Sequence, residues 1–293
     1  MPIGRVLILG HSGFIGSSLE RRLRREKDLE VVGLSPAAFD LTRREDAARL
    51  AEHFTPETAV VMCSAIKRQN GDTLENYEKN TAMAANLVPL LRDLPVGRFM
   101  YFSSTAVYGE DVHDTAIAEK TAAQPTSYYG MAKHASERLL LKAVEKKEIS
   151  PLLILRPATI YGAGEPGRPY GPMGFLRAAR AGETVTLWGD GSELREFLFI
   201  DDVCEAVARL LPASFSGILN LVSGRSVSFQ DVLAAIGRAG IPVKTESRPR
   251  SKAKADHAFD PSLLRAALPG FQFTTLDEGL KRASDAQLPS LRS

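Results

Sequence analysis

The strongest constraint on this chain lies in residues 5 to 16, where a short apolar run, RVLILG, meets the turn GHSGFIG. An unbroken apolar run of this length reads as a strand buried on both faces. A helical pattern follows, from Gly13 to about Glu26. The alternation then repeats. Strands are expected at LEVVGL (29–34), AVVMCSA (59–65), RFMYFSS (98–104) and SPLLILRP (150–157), and helices at 43–54, 75–94 and 127–147. Strands separated by helices line up parallel, with helices on both faces of the sheet. Right-handed crossovers then make the sheet doubly wound, so the class is α/β.

After residue 162 the texture changes. GAGEPGRPYGPMG (162–174) holds five glycines and three prolines and reads as a loop that covers or lines a site. GILNLVS (217–223) reads as one more strand, and SFQDVLAAIGRAG (228–240) as a helix capped by its serine. RPRSKAKAD (248–256) is basic and loop-like. The expected organisation is a Rossmann domain over 1–165, to which 200–223 returns, and a smaller C-terminal substrate lobe built from 166–199 and 224–293. The site should lie between them, at the C-terminal ends of the strands.

Gly10, Gly13 and Gly16 follow a strand and open a helix. That context gives a glycine triplet its meaning. The turn lets the backbone approach a pyrophosphate, and the helix N-terminus supplies free N–H groups and a positive dipole end. Ser12, Phe14 and Ile15, between the glycines, are assigned to the cofactor with them. An acidic residue at the end of the second strand would bind the ribose hydroxyls and favour NAD. This chain has Ser35 and Pro36 there, and nothing in them repels a 2′-phosphate. Asp40, with Leu41 beside it, suits the adenine edge as well as it suits the N-cap of the next helix. The cofactor is thus NAD or NADP.

Tyr129 and Lys133, in SYYGMAK, are four apart and share a helix face; Tyr128 is five from the lysine and points elsewhere. A free tyrosine has a pKa near ~10, so roughly one in a thousand is ionised at neutral pH, and its use as a base costs about 4 kcal/mol. A nearby ammonium and an oxidised nicotinamide ring lower that cost. Tyr129 can then take a proton from a hydroxyl while hydride leaves the same carbon, or run the step in reverse.

Charge narrows the partners. Lys plus Arg is 37 against 35 for Asp plus Glu, a net +2 that gives no basic stripe for nucleic acid. RRLRREK (21–27) reads as the solvated face of a helix. Cys63 and Cys204 sit in apolar contexts without disulfide or metal spacing, which fits a reducing compartment. His11, His53, His113, His134 and His257 are scattered, so no metal is expected. No signal peptide or membrane-length apolar run is visible, and we expect a cytoplasmic protein.

These motifs, from about residue 5 to about 280, resemble the extended short-chain dehydrogenases/reductases that act on nucleotide sugars, the NAD-dependent epimerase/dehydratase family. The resemblance implies that Ser104, four before Tyr108 in FSSTAVYG, binds the reacting sugar hydroxyl, with Ser103 and Thr105 as neighbours on the cofactor and substrate sides. Ser64 and Ala65 match the loop after the third strand, and Asn80 a residue near the cofactor. In LRPATIYG, Arg156, Pro157 and Tyr161 match a segment against the nicotinamide, with Thr159 where many sugar enzymes carry Asn. Arg195 matches an arginine for the substrate diphosphate, and Arg248 a second one, although Arg250 and Ser251 replace the Gly-Asp that usually follows. Trp188 is expected in the nucleotide pocket or in the core. The resemblance further implies a nucleotide-diphosphate sugar as substrate, and a homodimer in which 75–94 and 127–147 of two copies form a four-helix bundle.

It also sorts the reactions. Related dehydratases carry Asp-Glu directly after the strand-end serine; Thr105 and Ala106 stand there. Reductases that also epimerise use a Cys and a His; Ala106 stands in the Cys position and YGAGEPGR offers no His. A 4-epimerase and a 4-keto-reductase remain, both needing only Ser104, Tyr129 and Lys133. The epimerase is preferred and, with it, NAD. A catalytically silent dinucleotide sensor or scaffold is the reading from another class, and an intact Tyr129–Lys133 pair weighs against it.

Overall fold

The first half of the chain runs through β1 (Arg5–Leu9), α1 (Phe14–Leu23), β2 (Glu30–Leu34), α2 (Arg44–Ala48), β3 (Thr58–Met62), α3 (Leu74–Asp93), β4 (Arg98–Phe102), α4 (Tyr128–Val144), β5 (Leu152–Pro157) and β6 (Thr159–Tyr161). The second half adds α5 (Pro172–Arg180), β7 (Thr184–Trp188), β8 (Leu194–Phe199), α6 (Ile200–Leu210), β9 (Gly217–Leu221), β10 (Ser226–Ser228), α7 (Phe229–Arg238), β11 (Lys244–Arg248), α8 (Ser262–Ala267) and α9 (Leu276–Ala286). This computed structural model describes residues 2–110, 112, 114–147, 151–166, 170–250 and 253–286. His113, Ser150 and Ser251, named above, lie outside them. Among the described residues, no helix is long and apolar enough to cross a membrane.

Six strands form one sheet in the order β2-β1-β3-β4-β5-β9, with every pair parallel. Alternation along each strand explains the two-sided burial. Val6 and Ile8 of β1 join a core with Leu19 of α1 and Val203 of α6, while Leu7 and Leu9 join another with Leu87 of α3 and Leu140 of α4. Strands buried on both faces are mainly apolar, which is why their sequences read as near-continuous runs. The chain lays β2 on one side of β1 and β3 on the other, so strand order reverses at β1. Such a switch point leaves a crevice beyond the strand ends.

Two smaller sheets make the remainder: β10-β8-β6, in which β8 pairs antiparallel with β10 and parallel with β6, and the parallel pair β11-β7. The sequence reading placed no strands at β6, β7, β8, β10 or β11. The expected loop over 162–174 also ends early, because Pro172 begins α5 at a helix's first position, where proline's missing N–H costs nothing. The expected helix at 43–54 divides into α2 and a 3-10 turn, Arg49–His53.

Glu196 ties the smaller sheet to the large one. Its buried carboxyl accepts the backbone N–H groups of Ser223 and Gly224, just beyond β9. Burial pushes its pKa up to about 7. The folded protein therefore holds this proton to a higher pH than the unfolded chain. Its contribution to stability is present in full at low pH and is lost as pH rises through about 7. Glu196→Gln, which keeps an uncharged acceptor, should flatten that dependence in denaturant titrations across this window; an unchanged slope would count against it.

Candidate functional site

A cavity of ≈ 980 Å³ opens at the C-terminal ends of the central strands. Phe14 and Ile15 reach it from the glycine turn, Ser104 and Thr105 from the end of β4, Tyr129 from α4, and Pro157 and Thr159 from the end of β5. Arg195 and Trp188 close it from the smaller sheets.

The glycine turn is cut to backbone dimensions. A Cβ on Gly16 would stand 2.2 Å from the carbonyl oxygen of Gly10 and 2.7 Å from the Cα of His11. Gly10 has φ +86°, and a Cβ there would meet the backbone N of Ser64 at 2.9 Å. Thus α1 and the start of the loop after β3 both press on the turn. Gly13 caps α1 with no side-chain hydrogen bond, and the first turn holds no acidic residue. The N–H groups and dipole of α1 are left for an anion.

α4 brings the catalytic candidates in. Ser127 caps it by accepting from the N–H of Gly130 (3.1 Å), and the N–H of Tyr129 donates to Asp72 (3.1 Å). A side chain at 130 would strike the carbonyl of Ala106 at 2.6 Å. Glycine there lets α4 lie directly on the turn after Ser104. Lys133, one helical turn on, is buried; its Nζ lies 5.8 Å from the centre of the Tyr129 ring and donates to the carbonyl of Phe102 (2.6 Å). Burial pulls its pKa down to about 8, opposed by the carboxylate of Glu137, so much of it stays charged at neutral pH. The thiol of Cys63 is pushed up to about 12 by its own burial, which makes it an inert neighbour.

The structure separates the two serines. Ser103 is buried and its hydroxyl donates to Glu137 inside the protein. Ser104 lines the cavity, its Oγ capping the following turn by accepting from the N–H of Ala106 (3.1 Å). Behind them runs a buried chain that the sequence reading missed. Glu137 pairs both carboxylate oxygens with Arg156 (2.9 and 2.6 Å), and Arg156 donates to the Tyr108 hydroxyl (2.9 Å), which donates to Asn220 (2.7 Å). Tyr129, Lys133 and Glu137 are spaced four and four, so one helix face carries all three. That spacing was the available signal.

With this geometry in place, the comparisons with known proteins decide the family. The model of the NAD-dependent epimerase/dehydratase family matches residues 6–221. The chain belongs to that family. A GDP-6-deoxy-D-talose 4-dehydrogenase from Aggregatibacter actinomycetemcomitans is 26% identical over 71% of this chain and 70% of its own. A dTDP-4-dehydro-6-deoxy-D-allose reductase from a Streptomyces species is 27% identical over 90% of this chain and 93% of its own. The crystal structure of the UDP-glucose 4-epimerase of Thermus thermophilus, solved with NAD, superposes with a TM-score of 0.79 at 26% identity, covering 96% of this chain and 98% of that one.

The other residues matched to the family take the following places. Pro157 lines the cavity, but Arg156 and Tyr161 are buried and turned inward, Tyr161 against Phe199 at 5.6 Å between ring centres. Asn80 is buried and clamps the loop after β3: it accepts from the N–H of Ile66 (2.8 Å) and donates to its carbonyl (2.9 Å), holding the stretch that includes Ser64 and Ala65. Asp40 accepts from the N–H and hydroxyl of Thr42 in a local turn, and it does not cap α2, whose N-cap is Arg43. Leu41 is buried, its carbonyl accepting from Asn86, and Ser35 follows β2 half-buried. Arg195 lines the cavity, held by Glu193 (2.8 Å) and the carbonyl of Ala255 (2.6 Å). Arg248 stands apart on exposed β11, paired with Glu246 (2.9 Å). His257 enters the cavity wall unannounced, its ring bonded to the carbonyl of Glu110 (3.2 Å), with burial and Arg195 both disfavouring its charge.

Proposed function

We propose that the protein is a nucleotide-sugar epimerase that works by transient oxidation at the sugar 4-hydroxyl, with NAD preferred over NADP. One observation carries the reading. Tyr129 and Ser104 line the same cavity, with the buried ammonium of Lys133 5.8 Å from the Tyr129 ring centre, while Thr105 and Ala106 provide no acid for dehydration. The backbone cradle at Gly10 and Gly16, where a Cβ would collide with main chain, fits a dinucleotide pyrophosphate. When bound, the dinucleotide supplies the hydride acceptor and donor. The chain's own groups do the rest. Ser104 orients the 4-hydroxyl, Tyr129 removes its proton, and the charge on Lys133 favours the phenolate. After the sugar presents its other face, Tyr129 returns the proton. Arg195 is placed for the substrate diphosphate, and Trp188, 47% exposed at the cavity, for its base. α3 and α4 lie side by side and leave Leu74, Tyr128 and Met131 exposed, which supports pairing with a second copy through these helices.

A 4-keto-reductase is the second reading. It is favoured by the same constellation together with Ser35, where an acidic residue would exclude a 2′-phosphate. Mass spectrometry of the nucleotide released on denaturing the purified protein separates the two. Stoichiometric NAD is expected, as for a cofactor restored in each turnover. An empty site that binds NADPH more tightly than NADH would replace the epimerase by the reductase.

A further inference from the structure

A second cavity, of ≈ 720 Å³, opens at the other end of the large sheet, by the N-terminal ends of its strands. Its wall is largely apolar: Ile3 ahead of β1, Leu23 of α1, Pro56, Val96, and Leu211 after α6. Arg98, the first residue of β4, forms part of this wall and is 4% exposed. The carbonyl of Phe215 accepts from its Nη2, while its Nε is sealed from solvent with no partner. Among the described residues, no carboxylate forms an ion pair with Arg98. Burial pulls its pKa down only to about 10, so the guanidinium is charged at neutral pH.

A buried cation without a counterion is strongly unfavourable unless something supplies the missing charge. β4 does not need an arginine to form, since the residues that follow, Phe-Met-Tyr-Phe, bury well by themselves. We infer that this cleft binds a small organic acid, with one carboxylate on Arg98 and an apolar body along Ile3, Val96 and Leu211. A guanidinium donates charge-assisted hydrogen bonds to a carboxylate, about twice as strong as neutral ones. Glu26 and Asp28 also line the cavity, balanced by Lys27 and Lys147, so Arg98 leaves one positive charge in excess, too little to favour a dianion such as phosphate. The ligand is therefore a monoanion. Arg98 opens β4, and Ser104 follows the other end of that strand six residues on, about 20 Å at ~3.3 Å per residue. The cleft is thus remote from Ser104 and Tyr129.

The test is calorimetric titration of the full chain with octanoate, with octanamide and inorganic phosphate as comparison ligands. Octanoate should bind and octanamide and phosphate should not. Arg98→Met should melt no lower than the wild type, keep its affinity for NAD, and weaken octanoate by roughly ten- to hundred-fold, the worth of hydrogen bonds to a charged group. Ala213→Trp, at the cavity wall, should also weaken it. Undiminished octanoate binding in Arg98→Met overturns the proposal, as does preference for phosphate. A lower melting point for Arg98→Met would instead make Arg98 a structural anchor for Phe215.

Discussion

Tyr129→Phe should lower turnover by roughly 10²- to 10⁴-fold, the range for losing a positioned acid–base group, and leave the fold and the affinity for dinucleotide unchanged. The ring stays, so the packing of α4 over Ala106 is kept; only the hydroxyl goes. Lys133→Met offers a sharper comparison. It removes the buried charge that favours the phenolate and also the bond to the carbonyl of Phe102, so it should cost activity and some positioning of the Ser104 turn together. Single-turnover reduction of bound NAD by candidate nucleotide sugars measures the chemical step directly. A Tyr129→Phe protein that reduces its cofactor at the wild-type rate would remove Tyr129 from the chemistry. It would also strengthen the view of this chain as a dinucleotide-binding sensor.

The large sheet was legible because its strands are buried on both faces, so β1, β3, β4 and β5 announce themselves as apolar runs between helical patterns. The smaller sheets were not. β11 is KTESR, exposed at every residue, and β10 is SVS; neither buries enough side chain to leave a pattern. Proline and glycine hid the start of α5. The site divides in the same way. Motifs local in sequence, the glycine turn and the Tyr129–Lys133 spacing, were readable. The count back from Tyr108 pointed to Ser104 over Ser103, but what turns Ser103 away from the cavity, its bond to Glu137 34 residues on, left no mark in the local sequence. His257 reaches the cavity only because β8 draws the C-terminal segment across it, the N–H of His257 donating to the carbonyl of Leu194 (3.1 Å).

That buried chain from Ser103 to Asn220 makes the second large prediction. Arg156→Ala should destabilise the protein by about 3–5 kcal/mol, since it strands the carboxylate of Glu137 in the interior. Glu137 is fully buried and Arg156 3% exposed, so solvent cannot replace the lost partner. The double replacement Glu137→Leu with Arg156→Met removes both charges and should recover most of that loss. Its activity should not recover, because Ser103 would lack Glu137, Tyr108 would keep only Asn220, and the turn carrying Ser104 would lose its backing. Urea titration of the three proteins, with turnover measured on each, reads both quantities. If the single variant unfolds within about 1 kcal/mol of the wild type, the pair is not an obligate ionic contact. If the double variant regains full turnover, the network only supports the fold and does not position Ser104.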